Sequence, residues 1–214
     1  MRKDKTKRQA HWDAAYEGRG EEALSWFQAR PEPSLSLITE HAAPAGAVLD
    51  VGGGASLLPD ALLEAGYVDL TVLDLSQVAL SAAQARLGAR ADKVHWICDD
   101  VTDWVPGRGY DLWHDRAVFH FLTAPAERTA YVNTLVAALR PGGVAIIATF
   151  APDGPETCSG LPVQRYSPEA LAQTLEAIAP GVFRPMGAQT HAHETPTGGC
   201  QSYQVSLFRR PRRG

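Results

Sequence analysis

The sequence predicts an α/β domain in which strands and helices alternate, and three observations carry that prediction. Residues 47–56 read AVLDVGGGAS, a short apolar run that ends in three glycines and leads into a helical pattern. Such a run is a strand, a tight loop and a helix. Residues 69–75, DLTVLDL, repeat the theme: a buried strand ends on Asp74, and Ser76 is a good N-cap for the helix that follows. Apolar runs at 93–98, 110–116 and 144–150 then alternate with further helical stretches.

The glycine loop organises the chain. Glycines turn the backbone tightly and admit a ligand that a Cβ would exclude. The next helix aims its first N–H groups at that ligand. These features predict a nucleotide-type cofactor site. The dinucleotide fingerprint G-x-G-x-x-G fails, because Leu57 stands where its third glycine belongs. A nicotinamide-dependent dehydrogenase is the rival that this mismatch disfavours. The better description is acid-x-G-x-G, with Asp50, Gly52 and Gly54. On these residues the chain resembles the class I S-adenosylmethionine (SAM) dependent methyltransferases. The resemblance implies that Asp50 sits near the amino-acid end of the cofactor and that the loop passes its methionine and ribose. A carboxylate suits a ligand carrying an ammonium and a sulfonium and suits a pyrophosphate badly.

Length and composition bound the rest. The 214 residues fit one domain with a small appendage, and an apolar content of 45% supports a sizeable core. The net charge of −4 gives no global attraction to nucleic acid or membrane. Cys98, Cys158 and Cys200 are too scattered for a disulfide framework or a zinc site, so no metal is expected and a reduced, cytoplasmic setting is. No apolar run is long enough to span a bilayer. The opening MRKDKTKRQA is basic without the apolar core of a signal peptide, and reads as a frayed, solvated tail.

Residues 1–33 read as an N-terminal tail and aromatic helical lid, and 34–214 as the catalytic domain. Trp12, Tyr16, Trp26 and Phe27 fall in two short helical patterns split by Gly18 and Gly20. Aromatic faces attract a sulfonium as they attract other cations. HWDxxY followed by SWFQ is similar to the opening of a methyltransferase subgroup: bacterial small methyltransferases and the eukaryotic enzymes that methylate lysine in citrate synthase and elongation factor. That resemblance implies cofactor contacts at Trp12 and Tyr16. Pro31 and Pro33 break the chain, and Ser34 to His41 reads as a helix feeding the first strand.

Asp74 lies 22 positions beyond Gly52, where an acid can accept both ribose hydroxyls, with Leu75 beside it. After the third strand, the family pattern puts an acid on the adenine amino group and its neighbour on the ring; Asp100 and Val101 fit, with Asp99 as a substitute. The fourth strand ends in Trp113–His114–Asp115–Arg116, polar residues at a carboxyl end where such sheets bind ligands. Arg116 suits the cofactor carboxylate or a pairing with Asp115. His120 reads as a histidine buried at the edge. A helix over 125–139 stops at Arg140–Pro141–Gly142–Gly143, and LRPGG before an apolar strand is another mark of the same family. The irregular segment 151–166 leaves the fifth strand and should border an acceptor site. Ser167–Pro168–Glu169 starts a helix, a sixth strand lies within 182–193, and 201–208 alternates as a final strand antiparallel to it.

The resemblance completes these elements as a doubly wound, mostly parallel, seven-stranded Rossmann-like sheet in the order 3-2-1-4-5-7-6, its last strand antiparallel. It implies methyl transfer from SAM. The expected partner is a small-molecule acceptor, with no nucleic acid or membrane. A protein-lysine acceptor is the alternative, and a non-catalytic SAM-binding module the third reading. A base is needed only where the acceptor arrives protonated. The titratable candidates are His114, Asp115 and His193, with His191 nearby.

Overall fold

The computed structural model describes residues 2–18 and 20–212. Seven strands form one sheet: β1 (Val48–Val51), β2 (Leu70–Asp74), β3 (Val94–Cys98), β4 (Tyr110–Arg116), β5 (Leu139–Phe150), β6 (Arg184–Glu194) and β7 (Cys200–Arg209). Their order is β3-β2-β1-β4-β5-β7-β6, as expected. The first five pair in parallel, and β7 runs antiparallel to both β5 and β6. A parallel pair needs a crossover, and helices supply it: α3 (Leu58–Glu64) between β1 and β2, α4 (Gln77–Leu87) between β2 and β3, and α5 (Pro125–Ala138) between β4 and β5. Helices α2 (Ser34–His41) and α6 (Pro168–Ile178) precede β1 and β6.

Strand parity divides the core. Leu49, Val51, Trp113, Ala145 and Ile147 pack on one face with Tyr131 and Leu135 of α5 and Leu171 and Leu175 of α6. Val48, Val72, Leu112, Ile146 and Val205 pack on the other, with Ile38 of α2, Leu58 and Leu62 of α3 and Leu80 of α4. Side chains alternate across a strand, so near-continuous apolar runs such as VAIIATF feed both layers.

Two expectations for the N-terminus are corrected. The basic opening forms the first turns of α1 (Arg2–Tyr16), and two of its cations are paired: Lys5 with Asp99, and Arg8 with Asp100 and Glu127. The second aromatic pattern is not a helix. After Gly18, at φ 68°, the chain makes one short 3-10 turn at Glu21–Ala23 and continues irregularly through Trp26 and Phe27. The segment after β5 is irregular as expected, apart from a two-residue hairpin pairing Thr157–Cys158 with Leu161–Pro162. Among the described residues no helix is long and apolar enough to cross a membrane.

Candidate active site

A cavity of about 360 Å³ opens over the carboxyl ends of β1, β2, β3 and β4, roofed by α1 and residues 21–28. The crossovers put these ends on one edge, which is where open α/β sheets bind ligands.

The glycine loop forms its floor. Gly52 has φ 68°, and a Cβ there would stand 2.0 Å from Val118 Cγ2. At Gly53 a Cβ would fall 2.5 Å from Asp50 Oδ2 and 2.7 Å from Val72. Gly54, at φ 49°, faces the Tyr16 hydroxyl, which a Cβ would meet at 2.5 Å. The loop therefore holds backbone close to Asp50 on one side and to α1 on the other. Gly52 and Gly53 line the cavity, whereas Gly54 lies under Tyr16.

Asp50 and His114 are register partners on β1 and β4. His114 Nδ1 is 2.7 Å from Asp50 Oδ1, and its Nε2 is 2.8 Å from Ser34 Oγ at the start of α2. Asp50 is 5% exposed, and its Oδ2 is buried beside the loop without a partner. That orphaned oxygen is an acceptor held ready for a donor.

Asp74 ends β2. Its Oδ1 accepts a hydrogen bond from Ser76 N at 2.7 Å, and burial pushes its pKa up to about 6. Leu75 lines the wall beside it. After β3, Asp100 Oδ1 accepts from Thr102 N (2.9 Å) and Thr102 Oγ1 (2.7 Å). Its Oδ2 accepts from Arg8 Nη2 at 2.5 Å, and Val101 continues the wall.

Helix α1 meets this edge with two stripes at the four-residue spacing of one helix face. Lys5, Gln9 and Asp13 bind the rim: Asp99, Cys98 Sγ, and the Ser76 hydroxyl with Val78 N. Arg8, Trp12 and Tyr16 face the cavity. Trp12 stacks edge-on against Phe121 (5.0 Å between centroids) and Trp26 (6.1 Å), and Trp26 against Tyr16 (5.8 Å). Burial pushes the Tyr16 phenol up, with the Asp74 carboxylate adding to it. Arg8, Phe121 and Tyr203 line the cavity without having been anticipated, whereas Trp26 and Phe27 line it as members of the expected aromatic segment. The Arg8–Trp12–Tyr16 spacing was the available signal for the first.

The three residues expected to be catalytic have other engagements. His114 touches the cavity wall, but both ring nitrogens are bound. Asp115 lies on the opposite face of β4, fully buried, and accepts from Val118 N, Phe119 N and the Tyr131 hydroxyl at 2.7, 3.1 and 2.5 Å. Burial pushes its pKa up to about 6. It is the anchor of the turn after β4 and does not pair with Arg116. His193 is 3% exposed, and its Nε2 sits 2.8 Å from the Ser25 carbonyl, joining β6 to the segment under α1. Arg116 and, from the irregular segment after β5, Cys158 line the cavity, and His191 lines a smaller hollow together with Arg116. His120 is buried against Phe150, as expected, and burial lowers its pKa to about 3.

His114→Ala is expected to destabilise the fold by about 3 kcal/mol, because a buried carboxylate and a buried hydroxyl lose their partner together. Urea unfolding would show it as a lower midpoint at unchanged slope. A loss below about 1 kcal/mol would remove the assigned support of Asp50.

Comparisons with known proteins agree with this geometry. Residues 49–145 match the family described as "Methyltransferase domain". The chain is 27% identical over 121 residues to the eEF1A lysine and N-terminal methyltransferase of Bos taurus, covering 56% of this chain and 17% of that protein. It is 26% identical over 174 residues to the malonyl-[acyl-carrier protein] O-methyltransferase of Anoxybacillus flavithermus, covering 81% and 64%. The chain thus spans from under a fifth to under two thirds of these relatives. A structure described for conversion of a disulfide bond into a thioacetal group during echinomycin biosynthesis superposes with a TM-score of 0.74 at 24% identity, over 96% of this chain and 94% of that one. The 1,6-didemethyltoxoflavin-N1-methyltransferase of Burkholderia thailandensis, solved with bound 1,6-didemethyltoxoflavin and S-adenosylhomocysteine, gives a TM-score of 0.71 at 22% identity, over 98% and 87%. Sheet order and glycine loop give the chain a Rossmann-like fold of the kind found in SAM-dependent methyltransferases, and residues 49–145 match the methyltransferase-domain family.

Proposed function

We propose that the protein transfers the methyl group of SAM to a nucleophile on a small acceptor entering beside Arg116, Phe121 and Cys158. The observation that carries this reading is the series of acids along one cavity, Asp50, Asp74 and Asp100 at the ends of β1, β2 and β3, under an aromatic roof. SAM supplies an electrophilic methyl on a sulfonium. The chain's residues align and enclose the two partners. Asp74 accepts the ribose hydroxyls. Asp100 and Val101 border the adenine. Asp50 Oδ2 accepts from the ammonium, and His114 and Ser34 hold Asp50 in place. Residues 1–33 act as a lid: Trp12, Tyr16 and Trp26 exclude water and turn polarisable faces to the sulfonium. The opening motif HWDxxY supports membership of the subgroup that carries it, and its Asp13 fastens the lid to α4.

Among the described residues no histidine with a free ring nitrogen lines the main cavity. The main cavity therefore offers no histidine base, and an acceptor there brings its nucleophile deprotonated or loses its proton to another group or to water.

A protein amine is the second reading, and the curated relatives named for eEF1A lysine methylation favour it more than they favour a small molecule. Those alignments cover 43–56% of the chain. The small molecule is favoured because α1 and residues 21–28 cover the cavity from one side and Tyr203 of β7 lines it from another. Tritiated SAM, a metabolite panel and a lysate, separated by molecular size, decide between them. Label in a small product is expected; label running with protein would establish the second reading, and no label in either would remove both.

A further inference from the structure

Resting on the methyltransferase reading, we infer that Arg116 and His191 form an oxyanion subsite for the acceptor, so that the acceptor carries a carboxylate. Arg116 closes β4, and the next residue, Ala117, is held at φ 74°, a conformation rare for a residue with a Cβ. The strained turn belongs to the segment that aims the Arg116 side chain. Arg116 Nη1 donates to the Trp26 carbonyl at 3.0 Å, and the guanidinium lies over the Tyr203 ring at 5.2 Å. Its Nη2 is buried and has no partner. No carboxylate forms an ion pair with it among the described residues; Asp115, its neighbour in sequence, is spent on Val118, Phe119 and Tyr131. Beside it His191 Nε2 is also buried without a partner, and both residues line the same small hollow with Tyr203 and Pro33. The carboxylate that acts on His191 is Glu32, which is itself engaged by Ser36 N, Ser36 Oγ and Arg30. Arg116 is partly buried, and its Nη2, out of contact with solvent and without a counter-charge, leaves a planar fork with a free arm that matches a carboxylate.

Topology separates this anion site from the cofactor acids. Asp50, Asp74 and Asp100 stand on β1, β2 and after β3, in order toward one sheet edge. Arg116 reaches the opposite way, toward Tyr203 of β7 and His191 of β6. The subsite therefore lies on the side the acceptor occupies, and the cofactor carboxylate expected to pair with Arg116 from the sequence is replaced here by an acceptor carboxylate. The same cation disfavours an ammonium nucleophile at this spot.

Benzoate and benzamide are isosteric probes of the charge. Wild-type protein loaded with S-adenosylhomocysteine is titrated with each by NMR. Arg116→Gln and Arg116→Lys follow, with calorimetry of S-adenosylhomocysteine and of its decarboxylated analogue on every form. The expected result is benzoate binding at least tenfold tighter than benzamide. Arg116→Gln should abolish that preference and Arg116→Lys reduce it, with affinity for S-adenosylhomocysteine changed less than threefold. A wild type that does not distinguish the two probes overturns the inference, and needs no variant to fold. So does a tenfold or greater loss of S-adenosylhomocysteine affinity in Arg116→Gln together with unchanged affinity for the decarboxylated analogue, which would assign the site to the cofactor. Should wild type bind no S-adenosylhomocysteine, the methyltransferase reading falls, and the benzoate preference of the unloaded protein still decides for or against the subsite.

Discussion

Asp74→Ala is expected to weaken SAM binding about a hundredfold while leaving the fold intact. Asp74 Oδ1 is taken by Ser76 N, and Oδ2 lies beside Gly54, toward the loop. Two ribose hydroxyls donating to one buried carboxylate are charge-assisted bonds worth about 1.5–3 kcal/mol in favourable cases, so removing the acceptor costs about 3 kcal/mol in total. The variant also gives a pH signature. Burial raises the Asp74 pKa to about 6, so below that value the free protein carries a neutral acid that must lose its proton before it can accept both hydroxyls. SAM affinity is therefore full above about pH 7 and falls up to tenfold per unit below pH 6. For the free protein the sign is opposite. The folded pKa lies above the unfolded value, so the folded state binds the proton first, and this residue's contribution to stability declines as pH rises from about 4 to about 6. Calorimetry of SAM binding between pH 5 and 8 checks both forms: wild type should slope and Asp74→Asn should be weak and flat. Equal affinity for wild type and Asp74→Ala would sink the assignment.

The glycine loop and the strand-end acids that border the cavity were legible because they are local. Gly52, Gly53 and Gly54 sit where a Cβ would strike Val118, Asp50 or Tyr16, and an acid at each strand end is visible as a residue at a predicted boundary. What was hidden depends on contacts distant in sequence. Lys5 and Arg8 look like solvated cations until Asp99, Asp100 and Glu127 come within reach across 92 to 119 positions. The catalytic reading of the β4 end failed for a parity reason. Trp113 and Asp115 share a face. A tryptophan directed into the helix layer takes the acid with it, so both meet the Tyr131 hydroxyl, at 2.9 Å and 2.5 Å. His114 and Arg116 share the other face, yet only Arg116 keeps an atom free, because Asp50 and Ser34 bracket the imidazole. Polarity at a strand's carboxyl end thus marked the edge of the cavity, but Asp115 turns away from it and His114 is bracketed. His191 and His193 share a face of β6 by strand parity, and the His193 ring is tied to the Ser25 carbonyl.

Trp12→Ala is expected to lower SAM affinity about thirtyfold and turnover with it, with the midpoint of thermal unfolding shifted by only a few degrees. Trp12 stands outside both core clusters, on a helix fastened to the sheet edge by Lys5, Arg8 and Asp13, so its loss opens the roof without hollowing the domain. The indole lies against Phe121 and Trp26. Its face contributes about 2 kcal/mol to a desolvated cation, which converts to about thirtyfold in affinity. Truncation also admits water beside a sulfonium that the roof should keep dry. Trp12→Phe retains a face and should recover most of the affinity, whereas Arg8→Ala leaves the indole in place and loosens only the ionic end of the helix. That end should weaken with salt, since the Lys5 and Arg8 side chains are each about a third exposed (32%). Calorimetry with SAM, run beside the tritium assay, separates the three variants. If Trp12→Ala binds and turns over like wild type, the aromatics of α1 are packing for the N-terminal helix and not a lid on the cofactor.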